Sequence, residues 1–263
     1  MEVFKKVLVY LSRENSLPRC ANFLQSVTGE FCASQEDKAL VSCGLDRNRF
    51  IISDREFCGS SRVLLQRPSF CPIKNFPEGQ ASSLPQDVID RGVDVGVAVI
   101  LQSIDTKVLL TRRAANLHTF PNVWVPPGGH IEPHEQLLDA GRRELAEETG
   151  LQLQEGSYSC SLLGLWEARL CLDRTEVSAS VWLEPGMVAA MVDGAQNSGK
   201  ILVDLPPTVE VAELCDGAVK ATMFPVSKFL NTVPAAGVDR ERVSTGTRYA
   251  LQLWLNTLPQ LNQ

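Results

Sequence analysis

The sequence predicts an α/β protein, because two kinds of pattern occur in one chain of 263 residues. Short apolar runs bounded by polar or turn-forming residues are typical of buried strands. A longer run from 133 to 149 carries helix start and stop signals, and the run from 245 to 258 has the partial apolar stripe of an amphipathic helix. With 44% hydrophobic residues, the chain has ample apolar content for a core.

Residues 1–88 are expected to form a small, mostly β region. The predicted strands here are KVLVYL (6–11), ALVSCGL (39–45), RFIISD (49–54) and SRVLLQRP (61–68), with SLPRCANFLQSV (16–27) as a helix. The stretch 75–87 is rich in Pro, Ser, Gly and Gln and is predicted to be a linker. Domains are therefore predicted at 1–88 and 89–263, and the first is either a separate domain or an extension packed on the second.

The second region opens with strand-forming sequence. DVGVAVILQ (94–102) is predicted as a buried strand, KVLLTRR (107–113) as its hairpin neighbour, and Trp124 and Val125 as residues that pair into the sheet. Further along the chain, SLLGLWEA (161–168), VSASVWLEP (177–185) and ATMFPVSKFL (221–230) are predicted as strands, and PGMVAAMV (185–192) as a short helix.

The run 133–149 is predicted to be one helix that begins at Pro133 and stops before Gly150. On it Glu144, Glu147 and Glu148 stand at i, i+3 and i+4, which places their carboxylates on one face. Like charges so arranged repel, unless a cation neutralises them. Hard divalent cations that prefer oxygen ligands, Mg²⁺ above all and Mn²⁺ as the alternative, fit such a set. The competing interpretation is a solvated, charge-rich helix.

The residues before and within this helix form a longer motif. Gly129 is followed after five residues by Glu135, and after seven more by RELAEETGL (143–151). This pattern resembles the Nudix box and is complete at every defined position. The resemblance implies an alpha/beta/alpha sandwich with a mixed sheet, and metal-dependent attack of water on a phosphoanhydride that joins a nucleoside diphosphate to another group.

The resemblance also implies roles for individual residues. Glu144, Glu147, Glu148 and the carbonyl of Gly129 would hold the metal, and Glu144 or a carboxylate from a loop would act as the general base. Arg143 lies about 100° round the helix from Glu144 and is free to orient a carboxylate such as Glu135. Arg112 and Arg113 end a predicted strand, where they either contact substrate phosphates or are merely solvated.

Outside the box, VDVGVAVIL, KVLLTRR, VWVPPGGHIEPHE and VSASVWLEP resemble vertebrate Nudix hydrolases of methylguanosine-capped mRNA. The implied reaction is decapping to methyl-GDP and 5′-monophosphate RNA. Pyrophosphatases of coenzyme A, dinucleotides or ADP-sugars remain an alternative. Trp182 or Phe120 could stack on a base, although core packing is the expected fate of each.

One segment departs from the family pattern. Only ARLCLDR (168–174) separates the strand at 161–168 from the next one, where Nudix domains have a further long apolar strand. The chain is therefore predicted to be a shortened form in which a strand is missing, or in which this segment replaces it. A missing strand would leave backbone groups unpaired, so a catalytically impaired protein that binds a nucleotide or a partner is a third alternative.

Several residues remain as secondary candidates. Glu176 and Glu184 are candidates for the additional carboxylate that many Nudix enzymes place near the metals. For each of them, a surface position without such a role is an equal alternative. His118, His130 and His134 lie in or near the loop before the helix, and we expect none of them to be a metal ligand, because no partner stands at useful spacing.

Composition narrows the class of protein further. A net charge of −6 argues against broad, nonspecific binding to nucleic acid, so that any contact with RNA must be local. The eight cysteines stand singly with no CxxC pair, which indicates reduced thiols. No apolar run is long enough to cross a membrane. Cytoplasmic location is expected, with the nucleus as alternative, and a homodimer is left open.

Overall fold

The computed structural model describes residues 6–33, 35–69, 71, 74, 91–117, 120–167, 177–193, 205–215, 218–230 and 241–258. The strands are β1 (Leu8–Ser12), β2 (Arg19–Cys20), β3 (Lys38–Asp46), β4 (Arg49–Ser53), β5 (Ser61–Gln66), β6 (Gly96–Ala98), β7 (Val108–Arg113), β8 (Val123–Val125), β9 (Gly128–His130), β10 (Leu165–Trp166), β11 (Val177–Leu183), β12 (Thr208–Cys215), β13 (Ala218–Pro225) and β14 (Arg242–Val243). The helices are α1 (Leu137–Thr149), α2 (Pro185–Asp193), α3 (Ser227–Leu230) and α4 (Thr245–Leu255).

The chain divides into two compact units that interleave along the sequence. The first consists of Met1–Val97, His130–Ala140 and Glu155–Arg169, and the second of Ala98–Gly129, Gly141–Gln154 and Leu170–Gln263. The division into domains at residue 88 stays a prediction. The predicted linker, 75–87, lies outside the described residues.

The first unit is built on a six-stranded mixed sheet in the order β10-β5-β3-β4-β1-β2. β1 runs parallel to β4 and β10 runs parallel to β5, whereas the other neighbours are antiparallel. Alternating apolar residues of these strands, such as Val9, Val41 and Phe50, form a core that also includes Ile131 and Ala140. The strands predicted in residues 1–88 are confirmed.

The helix predicted at 16–27 is wrong. β2 begins this stretch, a turn follows at Asn22, and a single 3₁₀ turn covers Thr28–Glu30. The side chain of Asn22 accepts a hydrogen bond from the backbone N–H of Leu24, a local bond that favours a turn over a helix. Glu167 then accepts hydrogen bonds from the backbone N–H groups of Val27 and Thr28 at 2.9 and 2.8 Å.

The second unit holds a six-stranded mixed sheet in the order β13-β12-β11-β7-β8-β14. Helices lie on both faces of this sheet. Thr111 of β7 reaches Glu148 of α1 on one face, and on the other the ring of Trp124 packs against Phe229 of α3 at 5.0 Å between centroids. The predicted α/β class with a mixed sheet is therefore confirmed.

The long central helix begins later than predicted. Residues 133 and 134 form a turn, with His134 at a φ of 70°, and α1 starts at Leu137 instead of Pro133. Within this turn the backbone N–H of Glu135 donates to the carbonyl of Glu132 at 3.2 Å, and the side chain of Glu135 accepts from the N–H of Glu132. A left-handed residue cannot belong to a right-handed helix, so Pro133 begins a turn here.

Three strand predictions need correction, those for 94–102, 161–168 and 221–230, and in the last of these the chain leaves β13 at Pro225 and forms helix α3 from Ser227. The predicted buried strand 94–102 contains only the short β6, whose residues are half-buried or exposed, although Gln102 does pair with Val108 as a hairpin neighbour. Within the described residues 161–167, β10 is the only strand, and it joins β5. The strands and helices predicted at 107–113, 177–185, 185–192 and 245–258 are present as β7, β11, α2 and α4.

Some predictions fall outside the described residues, namely those for 168–174, His118 and Glu176. In the part of the chain that the structure describes, no helix has the length and apolar character needed to span a bilayer.

Candidate active site

Helix α1 presents the predicted acidic cluster. Glu144 is 15% exposed and Glu147 is 61% exposed, while Glu148 is half-buried. The guanidinium of Arg143 pairs with Glu144 at 2.8 Å and with Glu147 at 3.3 Å, so one cation already bridges two of the carboxylates. The i, i+3 and i+4 spacing therefore does gather these side chains as the sequence indicates.

Glu148 lies deepest in the cluster. One of its oxygens accepts from the hydroxyl of Thr111 at 3.3 Å and the other from the backbone N–H of Gly128 at 3.4 Å. Burial raises the pKa of this carboxyl to about 7, and the nearby charge of Glu144 also raises it, while the hydrogen bonds from Gly128 and Thr111 and the charge of Arg113 act in the opposite direction. Near neutral pH the carboxyl of Glu148 is therefore partly protonated, and a cation bound beside it would favour its ionised form.

Gly129 lies directly beneath Glu144. A Cβ atom built on Gly129 would stand 2.5 Å from the carboxyl carbon and both oxygens of Glu144. Only glycine leaves room for the carboxylate to lie against the backbone there. The backbone of β9 at Gly128 and Gly129 thus meets both Glu148 and Glu144, which brings the first residue of the sequence motif to its acidic helix.

The donor set fits a hard divalent cation that keeps part of its water shell. The described residues contain no cluster of three or more His, Cys, Asp or Glu side chains arranged as a closed metal site. Magnesium does not need one, because it is usually held by one or two carboxylates, several waters and the phosphates of a substrate. Glu144 and Glu148 match that requirement, because the two carboxylates are close together beside the backbone of Gly129. Burial also raises the pKa of Glu148, so a nearby cation would stabilise its charge.

The remaining box residue, Glu135, lies in the turn before α1, where its side chain accepts from the backbone of Glu132 at 3.1 Å. Its role in supporting the cluster stays a prediction. Of the secondary candidates, Glu184 pairs with Lys107 at 3.1 Å, and the backbone N–H of His134 donates to Asn48.

The two strand-end arginines have different surroundings. Arg112 is 14% exposed, and its guanidinium donates to Ser178, Glu241 and Glu213 at 3.0, 2.9 and 2.6 Å. Its guanidinium carbon also stands 5.6 Å from the ring centroid of Trp124. Arg112 is therefore not a solvated strand end, and its charge is already paired with two carboxylates. Arg113 contributes positive charge at Glu148.

We expect Arg112→Met to lower the free energy of unfolding by about 3 kcal/mol, because it leaves Glu213 and Glu241 without their shared cation. Chemical denaturation would measure the loss, with Arg62→Met at an exposed position of β5 as the control. An unchanged stability with a higher KM would instead support the predicted contact with substrate phosphates.

Sequence reasoning missed the residues that support the cluster from other strands. Thr111 is fully buried and donates to Glu148 or to the carbonyl of Val125, and Gly128 offers its N–H to Glu148. Thr111 directly follows the apolar run 108–110, and a polar side chain at a buried strand position was the only signal that could have identified it. Glu213 and Glu241 gave no such signal.

Comparisons with known proteins agree with this geometry. The model of the NUDIX domain matches residues 92–205. The m7GpppN-mRNA hydrolase NUDT17 of Xenopus laevis is 50% identical, with 98% of both chains covered, and that of Danio rerio is 48% identical with the same coverage. The human protein of this name is 41% identical over 96% of this chain and 88% of its own.

The alignment with the Xenopus protein is 292 residues long, longer than this 263-residue chain, so the relative has internal residues without a counterpart here. This agrees with a shortened form. The alignment nevertheless covers 98% of this chain, and the match to the domain model spans the box. Together with the acidic cluster on α1, these matches show that the chain belongs to the Nudix hydrolase family.

Proposed function

We propose that this protein hydrolyses the cap of methylguanosine-capped mRNA, releasing methyl-GDP and 5′-monophosphate RNA. The observation that carries the proposal is the pair Glu144 and Glu148 against the backbone of Gly128 and Gly129, in a chain 50% identical to an m7GpppN-mRNA hydrolase. Hydrolysis of a diphosphate needs a cation and an activated water, and this pair of carboxylates suits both needs.

The chain's own residues would hold the cation. Nudix hydrolases generally use divalent metals, and we propose Mg²⁺, with Mn²⁺ as the alternative. Glu144, Glu148 and the carbonyl of Gly129 would bind it, and the exposed Glu147 would complete the set on the solvent side. When bound, the ion would lower the pKa of water and offset charge on the diphosphate.

The reaction balances as a simple hydrolysis. The oxygen of water forms a bond to phosphorus, and the bond from that phosphorus to the bridging oxygen breaks. The other phosphate leaves with the bridging oxygen and the electron pair of the broken bond. Glu144 takes one proton from the attacking water, or a loop carboxylate does so. Arg143 holds one oxygen of Glu144 at 2.8 Å and fixes the direction of the other. Arg113 would attract the substrate's phosphates toward the cluster.

The proposal also covers where and how the protein works. We propose a cytoplasmic location, with the nucleus as the alternative, in keeping with an RNA substrate. A homodimer remains compatible with it. The protein's net charge of −6 requires that RNA be bound locally, near the site.

Incubation of the full chain with Mg²⁺ and cap-labelled RNA tests the proposal. We expect release of labelled methyl-GDP, with coenzyme A, diadenosine polyphosphates and ADP-ribose turned over at least about 100-fold less efficiently, a difference near 2.7 kcal/mol. Preferential turnover of one of these other compounds would show that this compound, and not capped RNA, is the substrate. A folded sample that turns over none of them would favour the nucleotide-binding alternative, as expected if the missing internal residues are essential.

A further inference from the structure

The face of the sheet that carries the candidate active site continues beyond it. Thr111, which reaches Glu148, is the direct cross-strand partner of Ser180 on β11, and Ser180 is in turn the partner of Ala212 on β12. Directly opposed residues of antiparallel strands point to the same face. The next residue of β11 on this face is Trp182, which is the partner of Leu109.

Trp182 is not a core residue. Its side chain is 38% exposed, whereas Ala179, Val181 and Leu183, on the opposite face of the same strand, are buried. The expectation of core packing for Trp182 is therefore wrong. A half-exposed indole is a large apolar surface that stays in contact with water, so a ligand that covers it would gain free energy.

The position of Trp182 relative to the acidic cluster suits the base of a nucleotide. One strand spacing and two residues along the strand separate Trp182 from Thr111, which amounts to roughly 8 Å between Cα atoms. In a nucleoside diphosphate a ribose separates the base from the phosphates. Phosphates held at Glu144 and Glu148 would therefore leave the base within reach of this face of β11.

The charged residues around Trp182 are Glu184, Lys107 and Glu210, which together carry a net charge of −1. Glu184 lies two residues further on the same face and is exposed, with Lys107 as its partner at 3.1 Å. Glu210 of β12 is exposed and, two residues from Ala212, lies on the same face. An aromatic ring among carboxylates favours a planar group with positive charge, because the ring face and the carboxylates both attract a cation.

We propose that Trp182 is the stacking platform for the N7-methylguanine base of the cap. This base is planar and carries the positive charge that its methyl group introduces, whereas unmethylated guanine is neutral. The inference rests on the proposed function and adds the residue that distinguishes a methylated cap from an ordinary guanine nucleotide. Stacking on an aromatic side chain is a common way for proteins to hold an unpaired base.

Binding of methyl-GDP in the presence of EDTA tests the proposal without catalysis. By calorimetry, we expect wild type to bind methyl-GDP at least about 5-fold more tightly than GDP, a cation–π preference. Trp182→Leu should weaken methyl-GDP binding about 10-fold and remove the preference, whereas Trp182→Phe should retain most of both. Leu40→Ala, at an exposed apolar position of β3, is the matched control and should bind as wild type does.

Other readouts separate this inference from the proposed function. Quenching of tryptophan fluorescence by methyl-GDP should be lost in Trp182→Leu, since Trp124 and Trp254 are buried. It should persist in Trp166→Phe, which controls for the remaining, half-buried tryptophan. Equal affinity of wild type for methyl-GDP and GDP would contradict stacking of the methylated base on Trp182, and so would unchanged methyl-GDP binding by Trp182→Leu. Either result would do so even if capped RNA is hydrolysed. Methyl-GDP binding that depends on Trp182 would uphold it even if no capped RNA is turned over.

Discussion

Glu148→Gln is expected to reduce turnover of the substrate by roughly 10³-fold, about 4 kcal/mol in activation free energy. Glutamine has nearly the shape of glutamate and keeps an oxygen for Thr111 or Gly128, but it cannot supply negative charge to a divalent cation. Steady-state kinetics at saturating Mg²⁺ would measure the loss. Asp139→Asn, the same change at an exposed carboxylate of α1, should leave kcat within about 2-fold.

The same substitution should stabilise the metal-free protein. Because burial raises the pKa of Glu148 to about 7 from 4.5, the folded protein retains this proton between those pH values while the unfolded chain releases it. The free energy of unfolding therefore falls as pH rises from about 4.5 to about 7, and it stays lower above that range. Glutamine does not ionise, so we expect Glu148→Gln to be more stable than wild type at pH 8 by about 2 kcal/mol.

Thermal unfolding in EDTA at pH 4.5 and pH 8 checks the sign of this effect. The gain in stability should be present at pH 8 and nearly absent at pH 4.5. Added Mg²⁺ should raise the Tm of wild type at pH 8 and leave that of Glu148→Gln unchanged, because a ligand stabilises only the protein that binds it. If Glu148→Gln were less stable than wild type at pH 8, the charge of Glu148 would be stabilising in the metal-free protein, which contradicts a pKa raised by burial.

The parts of the site that sequence predicts are those with short-range causes. Glu144, Glu147 and Glu148 share a face because helix geometry fixes their spacing, whatever surrounds the helix. Proline suits a first helical turn and so predicts that α1 starts at Pro133, but the left-handed conformation of His134 and the Glu132–Glu135 bonds make a turn there instead. Such a competition between two local structures is not resolved by propensity alone.

The parts that sequence does not predict depend on long-range pairing. Glu148 becomes buried because β7 brings Thr111 beside it, across a sequence separation of 37 residues. Arg112 is sequestered by Glu213 and Glu241, which come from distant segments. Likewise, β10 is the short part of the run 161–168 that pairs as a strand, and its pairing with β5 cannot be read from its own residues. Apolar patterns predict that a strand forms and do not specify its neighbour.

Gly129→Ala is expected to lower kcat by roughly 10²-fold while the protein remains folded. The new methyl group would stand 2.5 Å from the Glu144 carboxylate, closer than real contacts allow. The carboxylate is the free end of a flexible side chain, so it would move away and the backbone would stay. A displaced Glu144 could no longer bind the cation together with Glu148, and a misplacement of about 1 Å is enough to produce a loss of this size.

The design of this last experiment separates a local displacement from a general effect of alanine. Gly186→Ala in the first turn of α2 is the control, because a Cβ there meets nothing within 4 Å and alanine favours a helix. We expect the control to keep full activity and the same or slightly higher stability. Gly129→Ala should show a weaker apparent affinity for Mg²⁺ together with its lower kcat. Normal kinetics in Gly129→Ala would mean that Glu144 does not need the space above this glycine, and the proposed placement of the cation between β9 and α1 would have to be abandoned.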